Sequence, residues 1–159
     1  MPGLVGLIGR GPLNNQNTLD RMLQSIRHER FYSCGTFADE SLGLSVGWAV
    51  HPRGFSDCMP IWNRARDCVL FLHGEHHPDR EQAATLAEFP DMPTGGDARL
   101  VLRLYEQEGL RFLKRLNGCF QGVLADLRSR HSLASEQIIQ AADLGGGESM
   151  PGWDMLTSE

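Results

Sequence analysis

The chain has 159 residues, with Lys+Arg 15 against Asp+Glu 20 for a formal net charge of -5 at pH 7, and it is 41% hydrophobic and 22% charged. That is the length of one domain and the composition of an ordinary globular chain, which excludes full-length disorder, a collagen-like repeat and a small disulfide scaffold. No apolar run approaches the roughly 20 residues of a membrane span, and Met1-Pro2-Gly3 lacks the basic flank of a secretion signal, so the expected location is cytoplasmic with no membrane partner.

The charge is unevenly spread. From Ser132 to Glu159 there is no Lys or Arg, while Glu136, Asp143, Glu148, Asp154 and Glu159 are all acidic. The body up to His131 is therefore neutral, and it offers no basic surplus for nucleic acid. Cys34, Cys58, Cys68 and Cys119 form no Cys-x-x-Cys pair, which excludes zinc-ribbon and thioredoxin-type readings. They are expected to be small buried apolar residues.

Gly3-Leu-Val-Gly-Leu-Ile8, closed by Gly9, Gly11 and Pro12, predicts a buried strand. Leu19, Met22, Leu23 and Ile26 then recur at helical spacing behind Asn17 or Thr18 as a cap. Leu42 to His51 predicts a strand turning at Pro52-Arg-Gly54, and Cys68 to His73 a second, continuous apolar strand stopped by Gly74. Asp79 to Glu88 is weakly helical, and Pro90 to Gly96 is a loop. Asp97 opens the longest periodic segment, with Leu100, Val101, Leu104 and Tyr105 on one face, a break near Gly109, and Phe112, Leu113 and Leu116 continuing. Asn117-Gly118 ends it, and Cys119 to Ala125 reads as a strand. Beyond His131 the pattern weakens: Ser135 to Ala142 fits one helix, and the rest is expected to be a poorly ordered tail.

Three blocks carry a resemblance. Met1-Pro-Gly-Leu-Val-Gly-Leu-Ile8 resembles the opening of class II glutamine amidotransferase domains, the N-terminal nucleophile hydrolases that begin asparagine synthetases, where the family has Met-Cys-Gly. Gly96-Asp-Ala-Arg-Leu-Val-Leu-Arg-Leu-Tyr-Glu-Gln-Glu-Gly109 is similar to the family's Ser-Asp-Thr-Glu segment and helix, and Phe112-Leu-Lys-Arg-Leu-Asn-Gly-Cys-Phe-Gln-Gly-Val-Leu-Ala-Asp126 to its Leu-Asn-Gly-Met-Phe-Ala-Phe strand. The resemblance covers residues 1–131 and leaves 132–159 as an acidic, Gly-containing tail. It implies an α+β fold, the αββα four-layer sandwich, incomplete at the C-terminus.

The resemblance also implies a mechanism. In the family a cysteine freed at the N-terminus attacks the side-chain amide of glutamine while its own α-amine handles the proton. An Asn-Gly-Glu loop stabilises the oxyanion, and an Arg with the Asp of the Ser-Asp segment holds the charged end of glutamine. In this chain the nucleophile position is Pro2, the oxyanion-loop positions are His73 and Gly74, and Glu75 and Asp97 match substrate-binding residues. The substrate Arg aligns with Val50, with Arg53 close enough for a slipped alignment, and the family's Arg-Gly-Pro-Asp turn is absent near His28 to Cys34. The expectation is a domain that binds or once bound glutamine and does not hydrolyse it. Branches of the family without the cysteine, such as β-lactam synthetases and lasso-peptide cyclases, keep the domain as a non-catalytic partner of an ATP-dependent amide-forming domain. No cofactor is expected here: ATP and Mg²⁺ belong to a synthetase domain whose Ser-Gly-Gly-Leu-Asp-Ser loop this chain lacks. The change of character near Arg130-His131 predicts a truncated or frame-shifted reading frame.

Other readings stay open beside this one. An active glutaminase would need a different nucleophile. His73-Gly-Glu-His-His77 with Asp79 invites a metal site, since His73, Glu75 and His77 share a strand face, although the pattern matches no standard zinc motif. An amine at Pro2 suits a tautomerase-type base, but no basic partners accompany it. Trp48, Trp62 and Phe55 line either a cleft or the core, with core the bland expectation. Arg99, Arg103, Arg111 and Arg115 read as a solvated helix face.

Overall fold

The computed structural model describes residues 2–8, 15–40, 42–87, 98–128, 137–143 and 153–157. Strands β1 (Gly3–Ile8), β2 (Ser33–Asp39) and β3 (Leu44–Val50) make an antiparallel sheet in the order β1-β3-β2. A second antiparallel sheet runs β4 (Ile61–Trp62), β5 (Cys68–His76), β6 (Gly118–Asp126), β7 (Gln137–Asp143) and β8 (Trp153–Thr157) in sequence order. The helices are α1 (Asn15–Ile26), α2 (Arg80–Ala87) and α3 (Arg99–Glu108), the last continued by a 3₁₀ turn over Gly109–Arg115. This is a mixed architecture with two antiparallel sheets, compatible with the α+β class.

Two apolar clusters hold it together. Leu70, Leu72, Phe120 and Leu124 of the larger sheet pack with Leu100, Val101, Leu104 and Tyr105 of α3 and with Phe112. On the opposite face, Val69, Phe71 and Ala125 pack against Val46, Trp48 and Val50 of β3. Alternate residues of β5 thus feed both clusters, and this is why its sequence is a continuous apolar run instead of an alternating one. Helix α1 covers β1 and β3 through Leu19, which is fully buried. Across from Phe71, the Trp48 ring lies flat enough over Gly35 that any Cβ there would collide with it. The aromatic residues are packing residues: Trp48 is buried, and Trp62 and Phe55 pack against the clusters.

Several expectations need correction. Ser33–Asp39 is a strand that its composition conceals, because it is a sheet edge with alternate positions exposed and only Phe37 is large and apolar. Gln137–Asp143 is strand where a helix over Ser135 to Ala142 fitted, and Trp153–Thr157 is strand in what was expected to be tail. The reason is tertiary: β6 needs a partner on its far side, and β7 supplies one with Ile139 opposite Leu124. Of the four cysteines only Cys68 is buried, while Cys34 and Cys119 are exposed.

Candidate functional site

Gly3 pairs with Ala49, so the start of β1 at Pro2 and the end of β3 at Val50 and His51 lie at one end of the small sheet. In the large sheet His73 pairs with Gln121. The two places meet, because a Cβ on Gly3 would stand 3.0 Å from Gln121 Nε2. Alternation along the strands puts His73 in the row of Val69 and Phe71, and Gln121 in the row of Ala125 and Val123, all facing the small sheet. The inter-sheet core therefore ends in two polar side chains. Neither has a hydrogen-bond partner among the described residues.

His73 is half-buried, and burial first, then positive charge from His51 and from the chain's amino terminus, pushes its imidazole below the usual histidine range. His51 is exposed and packs on Phe31 and Tyr32, with ring centroids 5.6 and 5.1 Å away. The loop after it is tied down twice: Ser56 Oγ donates to the Gly74 carbonyl at 3.0 Å, and the Ala98 amide donates to the Phe55 carbonyl at 3.1 Å. Gly74 has φ +118°, and a Cβ would run into the Cys119 carbonyl, so β5 passes β6 there only as glycine.

The remaining sequence-derived positions divide. Val50 is 2% exposed and belongs to the inter-sheet core, so it presents neither charge nor donor. Arg53 sits in the following turn at φ 62°, its amide donating to Asp57 Oδ2 at 2.5 Å. Glu75 is exposed beyond Gly74. Asp97 lies outside the described residues, next to the tethered Ala98. The metal reading does not hold at His76: its Nε2 donates to Gln82 Oε1 at 3.0 Å, and its Nδ1 accepts the Asn117 amide at 3.0 Å, leaving no lone pair for an ion. That tautomer is dictated by Gln82, whose Nε2 donates to the Arg115 carbonyl at 3.0 Å. Among the described residues no three His, Cys, Asp or Glu side chains are grouped to hold a metal.

Sequence reasoning missed a buried polar cluster at the other end of β6. Tyr105 Oη donates to Asp126 Oδ2 at 2.6 Å, and Arg128 Nε reaches both carboxylate oxygens at 2.9 Å while its guanidinium stacks on the Tyr105 ring at 5.4 Å. Burial raises the Asp126 carboxyl, but the bonds from Arg128 and Tyr105 outweigh it and hold the group below the usual range. Its neighbour Cys68 is pushed up to about 12, chiefly by burial. Tyr105 and Asp126 were both visible as residues, but only the packing of α3 on β6 brings them together.

No family model matches the chain. Over 100 residues, 63% of the chain, it is 30% identical to a glutamine-hydrolyzing asparagine synthetase of Zea mays. The similarity is to asparagine synthetases. Over the same share it is 29% identical to asparagine synthetase 2 of Oryza sativa subsp. japonica and 28% to asparagine synthetase 1 of Arabidopsis thaliana, both also glutamine-hydrolyzing. In each case the match spans 17% of the relative's length. No helix among the described residues is long and apolar enough to cross a membrane.

Proposed function

We propose that this chain is a glutamine amidotransferase-like domain of an asparagine synthetase-type protein that does not hydrolyse glutamine and serves as scaffold or partner to an ATP-dependent amide-forming domain or subunit. The observation that carries the reading is Pro2, one residue before β1, beside the polar end of the inter-sheet core. Covalent amide hydrolysis needs a thiolate whose own α-amine moves the proton, and a proline has no thiol. His73 and Val50 agree with this, since one replaces an oxyanion donor by an imidazole and the other puts a buried aliphatic where a charge is needed. The packing of α1 on the small sheet, that sheet on the large one, and α3 on its far face supports the four-layer αββα arrangement.

The other cysteines are poor substitutes. Cys68 is buried with a thiol that stays protonated at neutral pH. Cys119 is exposed on β6 opposite Glu75 and lies two residues from Gln121, which makes it the alternative nucleophile to test. ATP and Mg²⁺ have no role in this chain under this reading.

Glutamate release from glutamine by a restoration series tests it. Pro2→Cys alone is expected to give little turnover, and Pro2→Cys with His73→Asn more, because the oxyanion donor returns; one such donor is worth roughly 100- to 1,000-fold. Full activity from Pro2→Cys alone would contradict the roles assigned to His73 and Val50.

A further inference from the structure

The three-stranded sheet ends in β1 and β2, and the five-stranded sheet in β4 and β8. Three of these edges are blunted: β4 is only two residues long, β8 carries Asp154 within it, and β1 also touches β5 and β6 of the other sheet. Strand β2 is built differently. It runs seven residues, contains no Pro, Lys or Arg, and has its one charge, Asp39, at the very end. It pairs with β3 on one side, and among the described residues no strand pairs with the other. Phe37 faces inward onto Phe71, ring centroids 5.2 Å apart, while Cys34, Thr36 and Ala38 face outward and are exposed. Helix α1 packs on β1 and β3 and leaves this outward row open.

The flanks of the strand decide what suits such an edge. The chain enters β2 past Arg27 and Arg30, with Glu29 between them, all exposed, and leaves it through Asp39 and Glu40. A strand basic at its entry and acidic at its exit is complementary to a copy of itself running antiparallel, whereas a parallel copy sets like charges together. Two-fold pairing about Thr36, the middle residue, sets Thr36 opposite Thr36, Cys34 opposite Ala38 and Ser33 opposite Asp39. Each basic entry then lies beside the other copy's acidic exit. Phe31, 56% exposed at that entry, is carried into the same contact, which gives the exposed ring an apolar surface to cover.

We propose that β2 is a pairing edge for a second copy of this chain, joined antiparallel about Thr36 so that two three-stranded sheets become one sheet of six strands. Main-chain hydrogen bonds along the edge supply the attraction, and the flanking charges fix direction and register. The pairing uses neither Pro2 nor any residue between the two sheets, so it stands or falls apart from the proposed function.

Sedimentation equilibrium of the intact chain in reducing buffer tests this. Between about 1 and 200 µM the mass is expected to rise from monomer towards dimer, with a dissociation constant on the order of tens of micromolar, as suits a contact below about 1,200 Å². Because Thr36 is exposed, Thr36→Lys and Thr36→Glu keep β2 on β3 and place like charges directly opposite each other in the pair. Each variant alone should associate roughly fivefold more weakly. Mixed in equal amounts, the two should associate at least as tightly as the unmodified chain, a gain that a damaged fold cannot give. Leu110→Glu, at an exposed apolar position on the 3₁₀ turn, should leave association unchanged. A chain that stays monomeric across this range, a Thr36 variant that dimerises as the unmodified chain does, a mixture no tighter than either variant alone, or an equal loss from Leu110→Glu would overturn the pairing.

Discussion

Asp126 is 7% exposed and still holds its charge, because Tyr105 and Arg128 between them satisfy both oxygens. Replacing Tyr105 by Phe deletes one buried donor and keeps the ring that Arg128 stacks on. A loss of about 1–2 kcal/mol is expected, read as a lower urea midpoint at unchanged slope. The sign of the pH dependence follows from the depressed carboxyl. Its stabilisation is full above the unfolded value of about 3.9 and is lost as pH falls through the lower folded value. Asp126→Asn should flatten that part of the acid-unfolding curve; an unchanged curve would show that other carboxylates govern it.

His76 works at the scale of an element junction. It joins β5 to α2 through Gln82 and to the start of β6 through Asn117, and Arg115 ties the same region together by pairing with Asp79, Glu81 and Glu108. Burial outweighs the two carbonyl acceptors, Gln82 Oε1 and the Asn117 carbonyl, and lowers its imidazole below the usual range. The folded chain thus binds fewer protons than the unfolded one just below pH 6.5, so stability is full above that pH and falls as pH drops through the folded value. His76→Ala should cost about 2–3 kcal/mol at neutral pH and reduce this fall, measured by urea unfolding at pH 5.5 and 7.5. A fall of undiminished size would assign the effect to His73 or another group. The strands past residue 131 give a second test at this scale. Ile139 lies mid-strand with β6 on one side and β8 on the other, so Ile139→Pro removes a ladder bond and should destabilise by more than about 2 kcal/mol. No effect would return that segment to a tail.

Across the whole molecule, legibility tracked how many faces of an element are buried. Strand β5 was readable because both faces are covered, and α3 because its apolar positions recur at helical spacing. Strand β2 was not, since an edge strand of Ser, Cys, Gly, Thr and Ala carries almost no periodic signal. The candidate site was half legible. Pro2, Val50, His73 and Gly74 were singled out by the family resemblance, but Gln121 comes beside Gly3 and His73 only through strand register and sheet packing between residues far apart in sequence. The same separation hid the Tyr105–Asp126 bond.

The account depends on Pro2 having ended covalent glutamine hydrolysis, and glutamate release by the unmodified chain measures this directly. Incubated with glutamine, the chain is expected to release glutamate and ammonia no faster than buffer, with or without Cys119→Ala. Turnover above background that is abolished by a cysteine-alkylating glutamine analogue would contradict it.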